Sequence, residues 1–169
     1  MGAVAGTRSI ETTTAALIAL LEEAVPGSGL PAVRCAAYRA ADLTAPMGDG
    51  ISLYLHHVGL DTTRTRPPAD GSEGAGAAAA EIELHYLLTA WSPQTARQQR
   101  LLGWAVQSLL GTPVLTAERL NGDEQVFAPG EQVVIAWETL SIEQLAAIWQ
   151  VAPMSRQPSG SFVARFQLG

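Results

Sequence analysis

The sequence predicts an α+β fold, a mainly antiparallel mixed sheet with two longer helices packed on it. Three observations carry this. Residues 51–61, 81–91 and 161–168 alternate apolar and polar side chains with period two. Residues 8–25 and the stretch after Ser92-Pro93 repeat apolar residues at helical spacing. The order is helix, strand, strand, strand, helix, strand, helix, strand, without an internal repeat, which suits one layered sheet better than a bundle. The chain has 169 residues. At about 100–200 residues per domain it forms one domain, with a flexible loop at about 62–80.

In the first helix, Ile10, Leu17, Leu20, Leu21 and Ala24 share one side, Thr7 or Ser9 can cap its start, and Pro26-Gly27-Ser28-Gly29 ends it. Residues 32–38 read as a short strand, and Pro46, Gly48 and Gly50 mark the loop after it. In 51–61, Ile51, Leu53 and Leu55 alternate with Ser52, Tyr54 and His56. In 81–91, Ile82, Leu84, Tyr86 and Leu88 oppose Glu81, Glu83, His85 and Thr89. These two strands make an antiparallel hairpin whose connector, 62–80, is rich in Pro, Gly and Ala.

Ser92 is an N-cap candidate with Pro93 at the first helical position. Leu101, Leu102, Ala105, Val106, Leu109 and Leu110 give that helix its apolar face. Gly111 is placed to end it in the left-handed conformation. Residues 121–130 are turn-rich and 131–138 form a strand. A capping box of Ser141 and Gln144, with Leu140 and Leu145 as hydrophobic staple, starts a short helix that ends near Val151. Residues 161–168 make the final strand.

Composition narrows the function. The net charge is −6, and all ten basic residues are Arg, scattered from Arg8 to Arg165. That is no cationic footprint for phosphates, so nucleic acid and anionic membrane surfaces are excluded as expected ligands. No stretch reads as a signal peptide or membrane span, Gly6 breaks the myristoylation pattern, and the expected compartment is cytoplasmic. The single cysteine, Cys35, excludes an intramolecular disulfide.

No motif of nucleophilic, phosphate-binding or metalloprotease chemistry is present. If Leu55 lies opposite Leu84, His56 falls opposite Glu83 and Tyr54 opposite His85. A metal site can be drawn from His56, Glu83 and His85, but ordinary cross-strand pairing explains the same residues. Cys35 beside Arg34 has no fixed base and reads as a small buried side chain. Gly48-Asp49-Gly50 reads as a turn rather than an ion loop. Trp91, Trp104, Trp137 and Trp149 read mainly as core, with some as interface anchors. No cofactor is expected.

The segment Glu83-Leu84-His85-Tyr86-Leu87-Leu88-Thr89-Ala90-Trp91 resembles a hallmark of the tail-terminator (cap) family of extracellular contractile injection systems, which are phage-tail-like particles. Further pieces match in order. Ile51-Ser52-Leu53-Tyr54-Leu55-His56-His57-Val58 resembles the family's earlier strand, and Pro67, Pro68, Asp70 and Gly71 its connector. Arg100-Leu101-Leu102-Gly103 with Pro113-Val114-Leu115 resembles the following helix. Glu138-Thr139-Leu140-Ser141-Ile142-Glu143-Gln144-Leu145 with Trp149 resembles the late strand-to-helix junction. The match runs from about Ile10 to Leu168. In this sequence the connector is richer in Ala and Gly than the family pattern, and the chain is expected to carry no extra C-terminal domain.

The resemblance implies a phage tail-terminator-like fold and structural rather than enzymatic work. The implied protein is a ring, expected hexameric, that ends tube and sheath polymerisation at the baseplate-distal end of a particle assembled in the cytoplasm. Its implied partners are further copies of itself, the inner tube protein and the sheath protein. Strand 161–168, with Phe162, Val163, Arg165 and Phe166, or strand 32–38 is then expected to be an edge augmented by a sheath strand. Arg64 and Arg66 are expected to meet acidic groups on tube or neighbouring subunits. The alternatives are a head–tail or baseplate adaptor of the same kind of particle, or a small enzyme with an unrecognised site.

Overall fold

A computed structural model describes residues 7–62 and 80–168. The elements are α1 (Ser9–Ala24), β1 (Cys35–Tyr38), β2 (Gly50–Asp61), β3 (Ala80–Trp91), α2 (Thr95–Leu110), β4 (Val114–Thr116), α3 (Ala117–Asn121), β5 (Gln132–Glu138), α4 (Ile142–Trp149) and β6 (Ser159–Leu168). The six strands form one sheet in the order β1-β2-β3-β6-β5-β4. Only β1 and β2 pair in parallel; every other neighbour is antiparallel. The α+β, mainly antiparallel mixed sheet expected from the periodicities is thus present. Residues 63–79 of the expected loop, and with them Arg64 and Arg66, lie outside the described residues.

Period two places alternate residues on opposite faces of the sheet. Ile51, Leu53, Ile82, Leu84, Tyr86, Leu88, Val133, Ile135, Phe162, Ala164 and Phe166 form the main core, under Leu17, Leu20 and Leu21 of α1 and Leu101, Ala105 and Leu109 of α2. Each fully buried leucine there contributes about 1.5–3 kcal/mol. Tyr86 stacks on Phe162 at 5.2 Å, and its hydroxyl shares a hydrogen bond of 2.7 Å with Thr14 of α1. Burial pushes the Tyr86 phenol up to about 12 despite that bond. On the opposite face, Leu87, Trp91 and Trp149 of α4 build a smaller core with Leu43 and Ala152. Two of the four tryptophans, Trp91 and Trp149, are fully core. Trp104 and Trp137 are half-buried against the main core.

Several local expectations need correction. The hairpin register is not the one drawn from the sequence. Leu55 faces Tyr86, and a bulge between Leu55 and His57 makes His56 the extra residue, so His57 faces His85 and Gly59 faces Glu83. Uniform alternation hides such an insertion. Helix α1 is capped at Arg8 without a side-chain bond, with Ser9 already buried inside the helix. Helix α2 starts at Thr95 after Gln94, two residues beyond the expected Ser92-Pro93 start. Gly111 ends it at φ −71°, in the right-handed region, where the amide of Gly111 donates to the Gln107 carbonyl at 2.9 Å. The Ser141–Gln144 capping box is present in both directions, at 3.1 and 2.8 Å. β4 and α3 are too short to carry a period.

Most important, β6 is not an edge. It lies between β3 and β5 and pairs on both sides. Strand β1, within the expected 32–38, does lie at the edge.

Two contacts set the entry to β2. Arg97 of α2 grips Asp49 through Nε and Nη2, both at 2.7 Å, and donates to the Pro31 carbonyl at 3.1 Å. Gly50 follows with φ +142°, and a Cβ there would press on the Arg34 carbonyl and Met47 sulfur. That carbonyl must accept from the Ile51 amide, at 2.8 Å, to seat β1 on β2. Gly50→Ala is expected to destabilise the fold by about 2–4 kcal/mol, through backbone strain and overpacking together. A urea midpoint equal to that of the unsubstituted protein would refute this account of the β1–β2 junction.

Candidate functional site

Two places collect the residues singled out from the sequence: the free borders of the sheet, and a histidine cluster on the face away from α1 and α2.

The borders are stepped. β1 covers β2 only from Ile51 to Tyr54. β4 covers β5 only from Gln132 to Val134, at the opposite end of the sheet, where Val134 faces Arg165 and Arg165 faces Glu83. Beyond β1, the rest of β2 has no strand on that side among the described residues. Its Val58 and Leu60 are 42% and 65% exposed on the helix-covered face. Unpaired strand borders with apolar side chains are sites where another chain can add.

The expected interface residues of β6 fall differently. Phe162 and Phe166 point into the main core, where Phe166 meets Phe127 edge-on at 5.5 Å. Val163 is buried on the opposite face, across from His85. Arg165 is the one with a reachable head group. Its Nε donates to Glu83 at 2.6 Å within an open polar hollow lined also by Asp61, Glu81 and Gln132. The sequence signal for β6 is alternation, and alternation cannot distinguish an edge strand from an interior one when both faces are covered.

The bulge turns His56 into a group with His57 and His85. Ring centroids lie 6.2 Å apart for His56–His85 and 5.2 Å for His57–His85. Nδ1 of His85 lies 3.0 Å from one oxygen of Glu138 and 3.2 Å from the other; its Nε2 lies 3.6 Å from Glu83. Ser161 donates its hydroxyl to Glu138 at 2.7 Å. Burial raises the Glu138 carboxyl, but the bonds from Ser161 and His85 outweigh it and hold the group below its ordinary value. A cavity of about 320 Å³ opens here, with Leu140, Gln144, Ala147 and Ile148 as its other wall.

Of the three residues expected for a metal site, His56 and His85 line the cavity, while Glu83 lies outside it, 3.6 Å from His85 through one oxygen and bonded to Arg165 through the other. Among the described residues, no group of three or more His, Cys, Asp or Glu has the geometry to hold a metal ion. The carboxylate stands between the serine and the imidazole, so the base touching the Ser161 hydroxyl is Glu138, held below its ordinary value and far weaker than an imidazole. That is the wrong order for an activated nucleophile. Cys35 is no better suited: burial, then the charge of Glu22, pushes its thiol up to about 11. A thiol at that value carries almost no thiolate near neutrality.

Against this geometry, known proteins supply a class. The fold is similar to that of the sheath/tube terminator of the extracellular contractile injection system PVC in its extended state. The TM-score is 0.60 with 15% identity, covering 96% of this chain and 57% of that one. It is also similar to the tube-terminating cap of the anti-feeding prophage, with TM-score 0.55 and 14% identity, covering 89% of this chain and 52% of that one. The chain thus spans just over half the length of these two structures. No curated protein sequence matches it. Residues 12–167 match the Pvc16 N-terminal domain, and the chain belongs to that family. No helix among the described residues is long and apolar enough to cross a membrane.

His56 makes the cluster sensitive to acid. Its Nε2 is buried without a hydrogen-bond partner among the described residues. Burial lowers its proton affinity; the Glu138 charge opposes this, and His85 and His57 reinforce it. The unfolded chain therefore takes up this proton before the folded one does. The stability His56 confers is complete above its ordinary value of 6.5 and is lost as pH falls below that value. His56→Leu should remove that loss. In urea titrations at about pH 7.5 and about pH 5.5, the unsubstituted protein should lose more stability on acidification than the variant. An equal loss in both would exclude the assignment.

Proposed function

We propose that this chain is a structural cap, the tail terminator of a contractile injection system. It ends tube and sheath polymerisation at the baseplate-distal end as a ring, expected to be hexameric. The observation that carries this reading is the correspondence of 96% of the chain with a terminator fold. Membership of the Pvc16 N-terminal domain family supports it.

The sheet suits such work. A closed ring of identical subunits needs two unlike lateral surfaces, because each contact is head-to-tail. The β1 border and the β4 border differ in length, direction of pairing and position along the sheet. A terminator must also accept the last layer of a polymer and deny the next layer a seat. One open border that takes a strand, and is filled once taken, meets both needs. With β6 in the interior, β1 is the border assigned here to a sheath strand. Arg165, in its acidic hollow, and Arg64 and Arg66 of the connector are assigned to contacts with tube or neighbouring subunits. The work is binding rather than catalysis, and the particle is assembled in the cytoplasm.

The test is mass by light scattering of the purified protein, alone and mixed with its own tube and sheath subunits. A ring of about six copies, or a monomer that becomes a ring on tube ends and limits their length, is expected. A monomer indifferent to both subunits would refute the cap. The connector gives a second test. Arg64→Ala with Arg66→Ala should broaden the particle length distribution while leaving the thermal midpoint unchanged. An unchanged distribution would remove both residues from the interface.

A further inference from the structure

We infer that the groove between α1 and β1 is the seat of the donated sheath strand, and that it selects a short extended segment of small apolar side chains with a cation at each end. This rests on the cap reading above and specifies the partner's chemistry at one of its borders.

The groove has a volume of about 570 Å³ and is walled by one stripe of α1, from Glu11 through Ala15 and Ile18 to Glu22, and by Cys35, Ala36 and Ala37 of β1. Its middle is mostly apolar and, apart from Ile18, its side chains are small. Ala15, Ala19 and Ala37 are exposed, leaving room where a second side chain can settle.

The backbone of β1 supplies the pairing. Because the Arg34 carbonyl accepts from Ile51, alternation along a parallel ladder turns Arg34, Ala36 and Tyr38 toward β2. The N–H and C=O groups of Cys35 and Ala37 therefore point outward, and among the described residues no strand lies there. An incoming strand would satisfy them and place alternate side chains on the α1 stripe.

The ends of the groove set its length and charge preference. Glu11 and Glu22 lie eleven residues apart on α1, about 16 Å at 1.5 Å per residue. That spans about five strand residues. Arg8 is shared between Glu11 at 3.7 Å and Glu124 at 2.6 Å, so one carboxylate remains in excess at that end. Glu22 stands exposed at the other, close enough for its charge to act on Cys35. A second copy of this chain is a poorer donor. Its other border strand, β4, is Val114-Leu115-Thr116, three residues with no cation of its own.

The probe is the blocked peptide Arg-Val-Ala-Val-Ala-Val-Arg, compared with the same peptide carrying Gln at both ends. Amide chemical shifts of the labelled full chain report where each binds. The Arg-ended peptide should move the Cys35 and Ala37 amides and bind about three- to tenfold more tightly than the Gln-ended one. Glu11→Gln with Glu22→Gln should erase that preference. Ala37→Pro removes one outward donor without touching the β1–β2 ladder, and it should abolish binding of both peptides and sheath capture alike. Should that variant fold poorly, N-methylation of the peptide's central residues removes the pairing from the other side, and it should abolish binding to the unsubstituted protein.

Equal affinity for the two peptides would overturn the charge preference. Shifts centred elsewhere would overturn the groove. If the peptide binds at β1 while folded Ala37→Pro still caps particles of normal length, the sheath is not the donor. Loss of capping in mixtures of the unsubstituted protein would instead strike the cap reading itself.

Discussion

Everything in this molecule is arranged around the pairing of β3 along its whole length, to β2 on one side and to β6 on the other. Its two faces make unequal demands. From Tyr86 to Trp91 both faces are buried, and every side chain in that run is out of solvent. Toward Ala80, only the face bearing Ile82 and Leu84 is covered, while Glu81, Glu83 and His85 look out on the polar side. The sheet therefore needs helices along one face and at one end only of the other. That division separates the main core from the smaller core under α4.

The bare end of the second face carries the polar chemistry for the same reason. Where α4 stops covering the sheet, cross-strand pairs become polar: Glu83 with Arg165 as an ion pair, and Glu81 accepting from the Gln167 amide at 2.9 Å. At the boundary between dry and wet surface sits the His85–Glu138–Ser161 chain, with His56 beside it. Boundary positions of this kind hold polar groups half out of water, where their hydrogen bonds gain strength and their unpaired atoms become costly.

Much of this architecture is legible in the residues. Alternation located β2, β3 and β6 within a residue or two, because in each an apolar set faces a continuous core. Ser141 and Gln144 announced α4 because a capping box is local chemistry, independent of the rest of the fold. What escaped was non-local. The bulge at His56 comes from how two strands fit, so the partners of all three histidines moved. The interior position of β6 depends on which strand comes back to which border. Phe162 and Phe166 read as reachable apolar side chains on a terminal strand until topology placed them in the core. The groove beside β1 was invisible for a related reason: Ala15, Ala19, Ala36 and Ala37 are featureless in sequence and matter only as the space they leave.

The interior place of β6 has a consequence in time. Among the strands described, it is the last to be synthesised, yet it joins β3 to β5. Chains emerge at about 5–20 residues per second. For the seconds between the exit of β3 and that of β6, the central strand β3 of the nascent protein is held on one side only, by β2. Its other border, apolar from Tyr86 to Leu88, is complementary to a segment that does not yet exist. A ribosome translating a neighbouring copy exposes the same border, so the hazard grows with the crowding of polysomes. The central seam of the sheet closes only when β6 arrives, and until then the free border of β3 is open to its twins.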